Sequence, residues 1–504
     1  MVRSVRNNFA PINRIPPEVL SLIPDHLCSC HMDEGIIALT HVCQGWRELF
    51  ISRSSLWTSL DCTNVGKTRV YIERSKTSPV GIHLEKSYSN AYRSDALLLA
   101  AAHINRLRSL TVCGSSGILP DLEKHFSCPA PLLRKLKINF DFDRSRAPSF
   151  PMTLFNGDLS GLRDLSLVGL TTNLPWRNLA NLTCFKLSHF PATVDPPFVT
   201  RLLDFLESAP LLSEIYLLQS IPISSNAPPE RLISLPHLTN LTTISQLTQS
   251  ALLNHLSIPK GALLVVEFGF SGTNSPIPDN LPKTLNNLNN LSHITEINMS
   301  LDTTEKAVRL RGPSGELQMY GTWTAGNLSS HVLERRFFRS LDKFNLSKVR
   351  SLVLTKFTAP SANEIQKTSV FQTLLLMKDL RTLTLIKCNN LAFIRALDPE
   401  ENTSGTILCP DLQELTLYVT KLEWFYPEQL VEMAADRDLG QARLSSVTIV
   451  SLDEMCSKKE VFKLRKYVSD VEYKLDTISP KWDFVPGNEG DRQVGRVVYD
   501  DSVE

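Results

Sequence analysis

The chain reads as an α/β protein: a three-helix module at the N-terminus, then a horseshoe of short parallel strands with helical returns. Three observations predict this. A phrase of the form Leu-x-x-Leu-x-Leu returns between residues 107 and 449, with neighbouring copies often 26 to 32 residues apart. Between copies, apolar residues recur at three- and four-residue steps, the spacing of one helix face. Residues 12–60 follow neither rhythm; they hold short apolar runs, several prolines and two tryptophans. At 504 residues the chain is too long for one compact core, so it is several domains or one elongated array.

In the first module, Pro16 and Pro17 suit a helix start, where a missing N–H costs nothing. Val19, Leu20, Ile23 and Leu27 then fall on one helical face. Pro24 predicts a kink or break, because an interior proline costs about 3 kcal/mol. Asp33 is placed to cap a second helix, on which Ile36, Ile37, Thr40 and Cys43 share a face. Gly45 loosens the chain before Trp46, Leu49 and Phe50 resume helical spacing, and Leu56-Trp57 closes the segment. Three such short helices carry more apolar surface than they can bury among themselves. The excess is completed by a partner or by the array behind, with Trp57 as a cap.

The run Ile15-Pro16-Pro17-Glu18-Val19-Leu20, the pattern Val42-Cys43-x-x-Trp46-Arg47 and the close Ser55-Leu56-Trp57 resemble an F-box. They are most similar to the large fungal set of F-box proteins, in which "ALTHVC.GWRELF" and "SRSSLWTSLD" recur in nearly this form. The following Thr68–Ser75 segment resembles that set as well, so the likeness spans residues 12–85. One departure is Ser21–Pro24, where the general pattern has an uninterrupted helix. The resemblance implies docking on the Skp-type adaptor of a Skp–cullin–F-box ubiquitin ligase, and through it association with a cullin. The matching positions are Ile15, Pro16, Val19, Leu20, Val42, Cys43, Trp46, Leu56 and Trp57.

The array begins with Leu107-x-x-Leu110-x-Val112, Leu133-x-x-Leu136-x-Ile138 and Leu162-x-x-Leu165-x-Leu167. It continues through copies anchored at Phe185, Ile215, Leu256, Ile297, Leu352, Leu383, Leu415 and Val447, with a weaker one at Leu241. Phrase and period look like leucine-rich repeats, each a short strand followed by a helix or irregular return. Returns are expected over 95–103, 198–208, 364–376, 427–436 and 458–468. One unit cannot bury its face alone, so stability comes from stacking on neighbours. Two stretches break the rhythm. Residues 259–290 are rich in glycine and proline around the run Leu263–Phe268, and residues 301–345 hold a strand pair joined through Gly312-Pro313-Ser314-Gly315.

Alternation along each strand leaves the residues beside the second apolar anchor on the outer face. Lys135, Asp164, Glu214 and Glu414 precede that anchor, while Lys137, Ser166, Lys186, Tyr216 and Thr384 follow it. Their mixed charge fits a protein surface as ligand better than a small molecule, which wants a concave apolar pocket.

Several chemistries find no support. Lys plus Arg is 53 against 52 Asp plus Glu, which argues against a sequence-independent nucleic-acid binder. No catalytic or dinucleotide fingerprint occurs, so no enzyme activity and no cofactor are expected. His26, Cys28, Cys30 and His31 lack the second ligand pair of a structural zinc site. Val65-Gly66-Lys67-Thr68 lacks the earlier glycine of a phosphate loop, position 61 being Asp. Asp398, Glu400 and Glu401 read as a solvated turn, and Lys458, Lys459, Lys463, Arg465 and Lys466 as an exposed helix face.

The expected organisation is a flexible start at 1–11, the docking module at 12–60 and a linker or cap at 61–94. The repeat array follows at 95–485, with inserts at 259–290 and 301–345, and an acidic tail at 486–504. Ten irregularly spaced cysteines, no apolar leader and no run of roughly 20 apolar residues point to a reducing, cytoplasmic or nuclear setting without a membrane span. The function expected is that of a substrate-recognition subunit: adaptor on one side, an unknown protein target on the other. The alternative is an interaction scaffold of the same build that works outside a ubiquitin ligase.

Overall fold

The computed structural model describes residues 11–26, 32–85, 92–140, 148–170, 179–188, 197–218, 231–245, 252–270, 281–282, 285–301, 305–323, 341, 343–357, 369–400, 407–419, 426–451 and 462–475. Leu27, Cys28, Cys30, His31, Glu401, Lys458, Lys459 and the tail at 486–504 lie outside these residues. The chain divides into two compact units, Met1–Arg350 and Ser351–Glu504.

The first unit opens with the helical segments Pro17–Leu20, Met32–Thr40 and Gln44–Ser52. Pro16 stands at the cap of the first and Pro17 at its first turn, where proline is pre-organised for a helix. The break foreseen at Pro24 is present: the α-helix stops at Leu20, and Ile23–His26 winds as a separate 3-10 turn. Three local expectations differ. Val19, expected on one face with Leu20, is exposed while Leu20 is buried. The second helix starts at Met32, so Asp33 sits within its first turn rather than at its cap. Ile36 is buried with Thr40, but Ile37, one residue and about 100° further round, is exposed. Leu20, Trp46 and Phe50 form the core of the module, with Ile23, Leu39, Cys43, Leu49 and Leu56 packed against it. The Trp46 and Phe50 rings meet edge to face at 5.7 Å. The Arg47 Nε donates to the Thr40 carbonyl at 2.9 Å and ties the second helix to the third.

The ladder begins earlier than 95. Strands β1 (Ser59–Leu60) and β2 (Val80–Glu85) and the helix Val65–Ser75 occupy most of the stretch expected as a linker. β3 (Leu107–Gly114), β4 (Lys135–Phe140), β5 (Asp164–Val168), β6 (Cys184–Ser188) and β7 (Glu214–Leu218) follow, each parallel to the one before. The second anchors Leu110, Leu136, Leu165, Phe185 and Ile215 stand in one register column and are all buried. Burying each is worth about 1.5–3 kcal/mol relative to leaving it in water, and the stack exists only because neighbours supply the cover. The helix Pro197–Ser208 backs this layer, and its Phe205 lies 4.8 Å from the Phe185 ring.

The repeats then depart from the expected register. β8 (Ile233–Ser234) and β10 (Leu256–Ser257) form a separate two-stranded sheet. The copy at Leu256 is therefore not a rung. Pro259 and the positive φ of Gly261 turn the chain straight after it. The rungs after β7 are instead β9 (Asn240–Ser245) and β11 (Leu263–Phe270), the apolar run inside the supposed insert. The second insert also joins the sheet. β12 (Glu296–Leu301), β13 (Glu305–Gly312) and β14 (Gly315–Trp323) form an antiparallel meander, and β14 runs parallel to β11. β13 is thus reversed among otherwise parallel neighbours. Its two-residue turn to β14 needs glycine on both sides: a Cβ at position 312 would collide with the His293 carbonyl, and Gly315 has φ +139°.

The second unit is a parallel ladder of β15 (Ser351–Thr355), β16 (Thr382–Ile386), β17 (Glu414–Val419), β18 (Ser446–Ser451) and β19 (Asp470–Leu475). Helices Ser369–Leu376, Asn390–Leu397 and Pro427–Leu439 are its returns.

Candidate functional site

The module at the N-terminus separates its predicted contact residues into two groups. Leu20, Trp46 and Trp57 are covered by the chain itself, at 6%, 6% and 1% exposure, so they hold the module together rather than face outward. Cys43 and Leu56 are half-buried against that core. Ile15, Pro16, Val19 and Val42 lie open, the two valines at 51% and 52% exposure. Ile12 and Leu22 are exposed as well and were not singled out from the sequence, and Ile37, expected on the face of Ile36, is exposed too. With Leu20 and Ile36 facing in, Val19 and Ile37, each about 100° round its helix, turn toward water.

Trp57 joins the module to the ladder. Its Nε1 donates to the Phe50 carbonyl at 2.9 Å, and its ring meets Tyr71 edge to face at 5.0 Å. The Arg74 guanidinium stacks 4.3 Å from the same ring. A capping role for Trp57 therefore has a geometry, with partners on the helix Val65–Ser75.

On the strand face of the first unit, Lys135, Asp164, Cys184, Glu214 and Asn240 occupy one register column. Thr111, Lys137, Ser166, Lys186, Tyr216 and Thr242 occupy the next outward one. The predicted face residues of this unit are thus brought together. Cys184 and Asn240 were missed, although each directly precedes the second anchor of its repeat.

The first column satisfies itself. Lys135 pairs with Asp164 at 2.7 Å, a surface pair worth about 0–1 kcal/mol. The Tyr216 hydroxyl donates to Glu214 at 3.0 Å and accepts from Asn240 at 3.2 Å. Burial first, and then the Glu214 charge, push the Tyr216 phenol up. Burial, with the carboxylates of Asp164 and Glu214, pushes the Cys184 thiol up to about 12. In the second column the Lys186 ammonium stands 5.8 Å from the Tyr216 ring centre. Thr384 and Glu414 belong to the second unit and fall in different columns there: Thr384 pairs with Thr416, and Glu414 with Thr382.

The remaining candidates resolve locally. Lys67 pairs with Asp61 at 2.6 Å, and the Asn64 side chain caps the helix by accepting from the Lys67 N–H. That loop is a helix start held by an ion pair. Asp398 is 7% exposed, so the turn is not the solvated one expected. It accepts from the Glu400 N–H, and burial followed by the charges of Asp398 and Glu400 holds the Asp436 carboxyl above the usual range. Lys463, Arg465 and Lys466 are exposed while Leu464 and Val468 point in. No helix of the described residues is long and apolar enough to cross a membrane.

No family model matches the chain, and no curated protein matches it. Among solved structures, one described as a TLR13–ssRNA13 complex matches at 14% identity over 78% of this chain, with a TM-score of 0.26. The matched region spans 46% of that protein's length, about half. The α/β ladder itself rests on the strand pairings of this chain.

Proposed function

We propose that the chain is a substrate-recognition subunit of a Skp–cullin–F-box type ubiquitin ligase. In this reading residues 12–60 are an F-box that docks on the Skp-type adaptor, and the strand faces hold a protein target. The chain performs no chemistry itself. Tethering the target makes ubiquitin transfer effectively intramolecular.

One observation carries the docking half. The module already has a closed core in Leu20, Trp46 and Phe50, yet Ile15, Val19, Leu22, Ile37 and Val42 remain open to water. A partner that covers Val19 and Val42 gains a share of the about 1.5–3 kcal/mol that each buried valine is worth. The test is co-purification of the full chain with a recombinant Skp-type adaptor. Val19→Asp/Val42→Asp places two carboxylates where the partner would sit, leaves the internal core intact, and should weaken capture by more than about tenfold. Failure of the wild-type chain to bind, or equal binding by the variant, overturns the docking assignment.

A further inference from the structure

We infer that the strand face of the first unit carries an anion seat, formed by Lys137, Ser166 and Lys186, that takes the carboxylate of an acidic peptide segment. The three residues are lateral neighbours in one register column, Lys137 beside Ser166 and Ser166 beside Lys186. Adjacent strands lie about 4.8 Å apart, so the serine is flanked on both sides by a lysine stem. Alternation puts all three on the face opposite to Leu165 and Leu167, which are buried.

Ser166 is the unusual member. It is 6% exposed although it belongs to the outward set, and its hydroxyl is buried without a hydrogen-bond partner. A buried hydroxyl left unpaired is a cost to the fold, and a ligand oxygen between the lysines would remove it. Lys137 has neither an acidic nor a carbonyl partner among the described residues. The acids of this face stand in the other column and are engaged, Asp164 by Lys135 and Glu214 by the Tyr216 hydroxyl. Across β3–β7 the lysine column itself runs Thr111, Lys137, Ser166, Lys186 and Tyr216, with no acid. Two lysines flank one hydroxyl in this column, a donor set that suits a carboxylate accepting charge-assisted hydrogen bonds. Tyr216 lies next in the column and offers an aromatic surface to the residue beside that carboxylate.

That the segment belongs to a captured target rests on the function proposed above. The seat rests on the register and on the unpaired serine, and its test contains no adaptor, so the two claims fail separately. Three pools of fluorescein-labelled short peptides, degenerate except for a central Glu, Gln or phosphoserine, are titrated with the full chain by fluorescence anisotropy. The Glu pool should bind about tenfold tighter than the Gln pool, the scale of one charge-assisted contact of this kind. Lys137→Gln/Lys186→Gln should abolish that preference, while Lys135→Gln, whose ammonium is held by Asp164, should keep it. Ser166→Ala removes a hydroxyl that has no partner, so it should leave the melting temperature unchanged or raised and still reduce the preference. Equal binding of the Glu and Gln pools, or a Glu preference that survives in the double lysine variant, overturns the seat. Binding of the phosphoserine pool alone overturns the carboxylate as its ligand.

Discussion

Arg437 offers the sharpest test of how the second unit is held. Its side chain is fully buried, and among the described residues no carboxylate answers it; its partners are backbone carbonyls from three stretches of chain. Nη1 donates to Leu408 at 2.9 Å and to Leu397 at 3.4 Å, Nη2 to Cys409 at 2.8 Å, and Nε to Ala442 at 3.2 Å. Leu397 is the last residue of the helix Asn390–Leu397, whose final carbonyls have no partner within the helix. One planar guanidinium therefore closes a helix end, the turn at Leu408–Cys409 and the exit after Gly440. Burial lowers the pKa of this group, yet an arginine stays charged at any physiological pH.

Arg437→Met keeps the stem and removes the fork. Each hydrogen bond to a charged group is worth about 1.5–3 kcal/mol, and part of the sum is returned because the charge no longer needs burying. The net loss expected is about 3–5 kcal/mol, because four carbonyls lose a donor at about 1–3 kcal/mol each and relief of the buried charge offsets part of that. Arg437→Lys should recover only a fraction, since a single ammonium cannot span acceptors arranged for a planar fork. The assay is urea unfolding of the full chain with hydrogen-exchange mass spectrometry, read on peptides from Ser351 to Leu475 alone. Reading one unit avoids treating the whole chain as a single two-state transition. A loss below about 1 kcal/mol for Arg437→Met would refute the claim that this fork holds the returns together.

Three further outcomes are expected. Trp57→Ala should destabilise the first unit by about 3–5 kcal/mol, and Trp57→Phe by less, because the ring stack on Tyr71 is partly kept while the bond to Phe50 is lost; equal melting of wild type and Trp57→Ala would remove Trp57 as the link to the ladder. Burial works to raise the Asp61 carboxyl, but Lys67 and Thr63 together hold it below its ordinary value. A depressed acid contributes stability above its unfolded pKa and loses it as pH falls through the folded one. Asp61→Asn should therefore melt lower than wild type at neutral pH, and the gap should close as the pH falls below the ordinary carboxylate range and through the folded-state pKa; a gap that does not shrink on acidification, measured by calorimetry, would exclude this linkage. In thiol labelling of the native chain, exposed Cys128 should react first among the described cysteines. Cys62, Cys388 and Cys409, buried and pushed up to about 12, should stay unmodified until the protein unfolds, and mass spectrometry of early labelled Cys62 would contradict that order.

The rungs were legible wherever a repeat phrase stands alone. Leu110, Leu136, Leu165, Phe185 and Ile215 stack as their spacing requires, because a stack of strands repeats the same local problem and the answer is written in each unit. The polar column beside them followed from the same register. Where two runs compete for one rung, the phrase misled: Leu256 matches the repeat, yet the longer run Leu263–Phe270 takes the place next to β9. The clamp at Arg437 was not legible either. Its partners lie 5 to 40 residues away in sequence, and backbone carbonyls leave no mark on residue type.

Residue order alone determined the period, the inward columns, the break at Pro24 and the glycine-bracketed hairpin at 312–315, since each follows from local sterics or from the alternation of a strand. Tertiary structure decided which apolar residues of the first module stay open, that β13 runs against its neighbours, and that Ser166 is sealed on an outward face. Those outcomes depend on what arrives from a distance to cover a side chain, and a chain's own pattern states what must be covered without saying by whom.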